Sequence, residues 1–190
     1  MASPSSGLAR LLEVLDQMEI PYLIGGSVAS SAHGNPRTTM DVDLVVDLKP
    51  EQILDLGELL GHDFYADVAM MRDALALGRP FNLIHFASAY KFDLFPLRSD
   101  EYSRTEFSRR RFIEVYSLGP EPVECAVSTA EDTILRKLEW YRAGGETSER
   151  QWNDVRGILQ MSGVRLDIEY LRSWAKFLRV RDLLERLLAG

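Results

Sequence analysis

The chain has 190 residues, 46% of them apolar and 27% charged, a balance that fits a globular domain and excludes a disordered or fibrous one. Its 22 Lys and Arg against 29 Asp and Glu leave a net charge of −7, so it does not wrap nucleic acid by bulk charge. A single cysteine, Cys125, excludes an intramolecular disulfide and a cysteine-based zinc site. The excess acid lies early: residues 1–95 hold 6 basic and 13 acidic groups, and residues 96–190 hold 16 of each. No apolar run approaches the ~20 residues that cross a bilayer. The N-terminus lacks the basic flank of a signal peptide, so no membrane association and a cytoplasmic location are expected.

Leu8, Leu11, Leu12, Leu15 and Met18 recur at helical spacing and predict an amphipathic helix over residues 7–19, ended by Pro21. A short buried strand, Tyr22–Ile24, runs into Gly25-Gly26-Ser27 and a small-residue helix from Val28 to Ala32. After a loop around Asn35-Pro36-Arg37, the β-branched run from Asp41 to Asp47 predicts a strand. Pro50 opens a helix that closes at Gly61, and residues 67–77 read as another. Phe81–Phe86 and Tyr90–Phe95 form a strand pair. A basic segment from Arg104 to Arg111 leads to a hairpin, Phe112–Tyr116 with Pro122–Val127, turning at Gly119-Pro120. From Ser128 the period becomes helical. Ser128-x-x-Glu131 and Ser148-x-x-Gln151 read as capping boxes and Asp167 as a further cap. The expected fold is α+β: an α/β lobe over residues 1–127 and a helical lobe over 128–190 packed on it.

Asp41 and Asp43, two apart on a strand, point to one face, while Val42 and Leu44 point into the core. Paired carboxylates on such a face repel each other and need a cation to offset them. With no histidine or lysine in the immediate pattern, the natural partner is a hard divalent ion, Mg²⁺ or Mn²⁺, which takes one or two carboxylates plus substrate phosphates. A strand with a solvated polar face explains the pair equally. Gly25-Gly26-Ser27 stands at a strand-to-helix junction, where free N–H groups favour an anion such as phosphate. A simply capped helix start is the alternative there. Asp93 is a third acid in an apolar strand, either a site carboxylate or an edge-strand acid. Together the three features describe a metal-assisted phosphoryl-type site.

The segment from Gly25 to Val46, a Gly-Gly-Ser turn followed 13 residues later by Asp-Val-Asp, resembles the signature of the nucleotidyltransferase (polymerase-β-like) superfamily. Its His33-Gly-Asn-Pro-Arg-Thr-Thr39 stretch is similar to AbiEii-type toxins and related short nucleotidyltransferase-like proteins. The resemblance implies a mixed β-sheet with flanking helices and transfer of a nucleoside monophosphate from an NTP to an acceptor hydroxyl on tRNA, a protein or a small molecule. It implies that Asp41 and Asp43 bridge two metal ions, that Asp93 holds the catalytic ion and helps deprotonate the acceptor, and that Gly25, Gly26 and Ser27 meet the triphosphate. Lys137 and Asp154 are the best matches for a helical lysine and a later acid that complete the nucleotide site. A toxin-like role implies a neutralising protein partner.

Lys137 sits at the edge of an apolar stripe beside Tyr141, which suits a phosphate-reaching or a snorkelling lysine. His33 and Arg37 lie beside the site and are candidates for substrate contact. Arg109-Arg-Arg111 reads as a solvated charge run, Trp140, Trp152 and Trp174 as packing residues, and Cys125 as core. The competing functions are a catalytically silent nucleotide-binding or regulatory module, which does not need three converging acids, and a metal-dependent nuclease, which does not need the Gly-Gly-Ser turn.

Overall fold

The computed structural model describes residues 4–36, 39, 41–116, 121–161 and 165–189. The expected turn at Gly119-Pro120 and the candidate Arg37 lie outside them. Helix α1 (Pro4–Gln17) starts earlier than its apolar periodicity indicates and buries Leu8, Leu11, Leu12 and Leu15. It stops well before Pro21, because Glu19 takes a left-handed φ of 52° and the Ile20 N–H closes back on the Leu15 carbonyl. Strand β1 (Tyr22–Ile24) leads into α2 (Gly26–His33), and β2 (Asp41–Val46) follows. A single 3₁₀ turn at Pro50–Gln52 precedes α3 (Ile53–Leu60). Next come β3 (Phe64–Tyr65), α4 (Val68–Ala76, capped by Asp67), β4 (Phe81–His85) and β5 (Lys91–Pro96).

Residues 101–109, which the sequence marks only as part of a basic segment, form helix α5 (Glu101–Arg109). Its start signal is Asp100, whose carboxylate accepts from the Ser103 N–H at 2.9 Å. Only Tyr102, Ser103, Glu106 and Phe107 of the helix are buried, so no apolar stripe announces it. Strands β6 (Arg111–Val115) and β7 (Val123–Val127) pair as the expected hairpin. Four helices complete the described residues: α6 (Ala130–Ala143), α7 (Glu149–Gln160), α8 (Ile168–Phe177) and α9 (Arg181–Leu188). Ser148 and Asp167 cap α7 and α8 as their spacing indicates. The cap of α6 is Thr129 rather than Ser128: Thr129 accepts from the Asp132 N–H, and Ser128 Oγ instead donates to Glu106.

The seven strands form one mixed sheet in the order β3-β4-β5-β2-β1-β7-β6. The pairs β2–β5 and β1–β7 are parallel and the other pairs antiparallel. Alternation along the central strands sends Val42, Leu44, Val46, Phe92 and Leu94 into one buried cluster with α1, α3 and α4. The opposite face of β2 and β5 carries Asp41, Asp43, Val45, Asp93 and Phe95. A second cluster joins Tyr102 of α5 to Ile134, Leu135 and Leu138 of α6 and to apolar residues of α7, α8 and α9. The buried carboxylate of Asp132 ties this cluster: Tyr170 donates to it at 2.6 Å, Tyr102 at 3.3 Å and Arg109 Nε at 3.1 Å.

Cys125 is fully buried on β7, as expected, and burial pushes its thiol from the ordinary 9.0 up to about 12. The nucleophilic thiolate is therefore absent from the folded state near neutral pH. A maleimide at about pH 8 should leave the native protein unlabelled and label it fully in denaturant, as read by mass spectrometry. Since the unfolded thiol ionises first, stability should also fall as pH rises above the ordinary value.

Candidate active site

Parallel pairing of β2 with β5 sets Asp43 opposite Asp93 and Asp41 opposite Lys91, so the three acids gather on one face. Asp41 is largely exposed, and Asp93 is half-buried. Burial raises the Asp43 carboxyl above the usual carboxylate range. The nearby Asp93 charge raises it further, while Lys137 pulls it back. The expectation that no lysine offsets these charges is wrong. Lys91 Nζ lies 2.9 Å from Asp93 Oδ2 and 3.6 Å from Asp41 Oδ1, and its hydrogen bond to Asp93 raises its own pKa. The signal was legible: Lys91 precedes Asp93 by two residues, which places it on the same strand face.

The Gly-Gly-Ser turn fits against this cluster. The Gly25 N–H donates to the Asp43 carbonyl at 3.0 Å, and α2 starts at Gly26. Gly26 has a φ of 57°, and a Cβ there would stand 1.8 Å from Asp43 Oδ2, so only glycine lets the carboxylate approach the helix start this closely. Ser27 is buried, and its Oγ accepts from Arg150 at 2.7 Å. Arg150 stands in the first turn of α7, 123 residues away in sequence, and no local pattern connects it to the turn.

Lys137 of α6 is buried rather than snorkelling, and its Nζ donates to Asp154 Oδ2 at 2.7 Å. Asp154, on α7, also accepts from Ser30 Oγ at 3.4 Å, so it stands behind the lysine and joins α2, α6 and α7. Gly25, Gly26, Ser27, Asp41, Asp43, Asp93, Lys137 and Arg150 all line one cavity of about 670 Å³ between the sheet and the helices. Glu106 and Arg136 form another part of its wall as a buried ion pair at 2.6 Å. Burial raises the Glu106 carboxyl, and the arginine pulls it back.

The remaining candidates divide. Trp152 packs on Tyr141 and Trp174 on Tyr102, Tyr170 and Phe177, in keeping with packing roles. Trp140 does not: it is 58% exposed and lines the cavity. His33 ends α2 rather than lying in a loop, and its Nε2 makes a 2.6 Å hydrogen bond with the Ser128 carbonyl. Arg109 is only partly solvated, since it pairs with Asp132 and lies 3.9 Å over the Tyr170 ring.

No family model and no curated protein matches the chain. Solved structures do. The antibiotic-resistance factor ANT(2'')-Ia aligns over 98% of this chain and 97% of its own with a TM-score of 0.52 and 17% identity. The same factor in complex with adenylyl-2''-tobramycin aligns over 93% of this chain and 97% of its own with a TM-score of 0.51 and 16% identity. An antigenic nucleotidyltransferase-like protein from Paracoccidioides brasiliensis aligns over 96% of this chain and 91% of its own with a TM-score of 0.53 and 16% identity. The chain thus has the nucleotidyltransferase-like fold that the sequence resemblance implied.

Two outcomes follow from this geometry. Gly26→Ala must force Asp43 aside and hold alanine in a left-handed conformation, so it should lower stability by at least about 1–3 kcal/mol in chemical denaturation. Lys91→Met should lower the stability of the metal-free protein by up to about 1 kcal/mol, the range for a partly exposed ion pair. The same denaturation series checks it.

Proposed function

We propose that this protein is a nucleotidyltransferase that moves a nucleoside monophosphate from an NTP to an acceptor hydroxyl. One observation carries the reading: three carboxylates on adjacent parallel strands face a glycine-built helix start across a cavity that Lys137 and Arg150 help to close. The fold it shares with ANT(2'')-Ia supports it. The AbiEii-type resemblance rests on residues 33–39, of which 37 and 38 lie outside the described residues.

The residues present fit Mg²⁺ or Mn²⁺. The donors are hard carboxylate oxygens, and Lys91 already holds a positive charge between Asp41 and Asp93. Among the described residues no three His, Cys, Asp or Glu side chains form a ready-made metal cage. Mg²⁺ and Mn²⁺ take one or two carboxylates and complete their octahedron with substrate phosphates, and either ion would serve here. Asp41, Asp43 and Asp93 would hold it, and it would neutralise charge on the transferring phosphoryl group.

The chain's own residues supply the rest. The Gly26 and Ser27 N–H groups at the start of α2 receive the triphosphate, where the helix dipole favours negative charge. Arg150 releases Ser27 and binds phosphate oxygens, and Lys137, fixed in direction by Asp154, faces the same charge. Asp93 accepts the proton of the acceptor hydroxyl as its oxygen bonds to the α-phosphorus and pyrophosphate departs. Positioning and charge neutralisation provide most of the rate, as is general for phosphoryl transfer. The acceptor is a hydroxyl on a small molecule, an RNA end or a protein. The adenylyl-tobramycin complex of the structural neighbour makes small molecules the first to test.

The test is incubation with each α-labelled NTP and Mg²⁺ or Mn²⁺ in cell extract. Label should enter a discrete species with release of pyrophosphate. Asp93→Asn keeps the side chain's shape but removes its charge. It should fold, bind NTP with modestly reduced affinity and lose at least ~100-fold of transfer. Undiminished transfer by this variant, or no labelled species with any NTP, refutes the reading.

A further inference from the structure

The cavity changes character along its length in a regular way. Asp43, Asp93 and Lys137 each have an apolar neighbour one structural repeat further on. Val45 follows Asp43 by two residues on the same face of β2, and Phe95 follows Asp93 in the same way on β5. Val45 and Phe95 lie opposite each other in the strand register, beside Leu23 of β1. Trp140 follows Lys137 by three residues, about 4.5 Å along the α6 axis. These residues and Leu97 line the same cavity as the carboxylates. Arg98 and Glu139, 3.7 Å apart, line it too, with Arg98 also on Asp100 at 2.9 Å and Glu139 on Arg136 at 2.7 Å.

Trp140 is the informative member. An indole that is 58% exposed, on a helix that buries Ile134, Leu135 and Leu138, leaves a large aromatic surface in water. Its exposed surface stands at a cavity wall one helical turn beyond the phosphate-facing lysine. A nucleotide has the same sequence of properties: charged phosphates, a short sugar, then a planar apolar-faced ring with a polar edge.

We propose, resting on the nucleotidyltransferase reading, that Val45, Phe95, Leu97 and Trp140 form the nucleobase subsite of the donor nucleotide and that it takes a purine. The fused purine rings cover more of the indole and of the apolar strand residues than a pyrimidine does, and stacking on an aromatic face grows with that overlap. The base edge lies toward Arg98 and Glu139, which offer a donor and an acceptor. The acceptor molecule approaches from the other end, where Asp41 is exposed.

The test is calorimetric binding of the Mg²⁺ salts of ATP, GTP, CTP, UTP and tripolyphosphate to the wild type, Trp140→Ala and Trp140→Phe. The wild type should bind both purine nucleotides at least about tenfold tighter than tripolyphosphate, and measurably tighter than the pyrimidine nucleotides, whose smaller rings overlap less. Trp140→Ala should lose roughly tenfold in purine affinity while tripolyphosphate affinity is unchanged, and Trp140→Phe should recover most of the loss. Melting curves of the two variants should match the wild type, because the indole is exposed. Equal affinity for all four nucleotides and tripolyphosphate overturns the base subsite alone. So does unchanged purine affinity in Trp140→Ala, or an equal loss for tripolyphosphate. Failure of the wild type to bind any of the five ligands overturns the nucleotidyltransferase reading and the subsite with it.

Discussion

Negative charge gathered on one face of a sheet is the constraint around which this protein is arranged. Asp41, Asp43 and Asp93 repel one another, and the partial burial of Asp43 and Asp93 removes the water that would screen them. The chain answers with cations from separate places: Lys91 on the same strand face, Lys137 from α6 and, at the adjoining helix start, Arg150 from α7. Asp43 keeps a raised pKa all the same, first because it is buried and then because Asp93 stands beside it. A carboxylate cluster held in this way keeps affinity for further positive charge.

The same electrostatics join the two halves of the molecule. The Lys137–Asp154 pair is largely buried, so each charge depends on the other and on its remaining neighbours rather than on water. Asp154 therefore fixes the direction of a lysine that belongs to the cavity wall, and through Ser30 it fixes α2 as well. Arg150 reaches Ser27 from the next turn of the same helix. Helix α7 thus sets the helix start of α2 against the sheet carboxylates, although it contributes nothing to the sheet. Glu106 and Arg136 repeat the device between α5 and α6, again within the cavity wall.

Gly26 lets Asp43 press against the helix start at a distance that any side chain would prevent. Further along, Val45, Phe95 and Trp140 continue the same faces with apolar groups. The polarity of the cavity is thus written by the two-residue repeat of two strands and the three-residue repeat of one helix. No separate element is needed to create it.

Much of this was legible in the sequence. The Gly-Gly-Ser turn, the Asp41/Asp43 spacing and Asp93 depend on local periodicity, and local periodicity survives folding unchanged. The β-branched run of β2 and the caps at Ser148 and Asp167 are similarly local. Helix α5 was missed because its four buried residues include two polar ones, Ser103 and Glu106, so no apolar stripe marks it. Contacts distant in sequence were decided by tertiary structure alone. Parallel pairing brought Lys91 beside Asp41, the α6–α7 packing turned Lys137 inward, and the approach of α7 to α2 delivered Arg150 to Ser27. Trp140 looked like the other tryptophans, since a helical period fixes which face a side chain occupies but not what that face meets. The sequence by itself determined the types and spacing of the reactive groups, because these follow from backbone repeat. Which cations stand beside the carboxylates, and which aromatic stays open to the cavity, depended on long-range packing that no local pattern encodes.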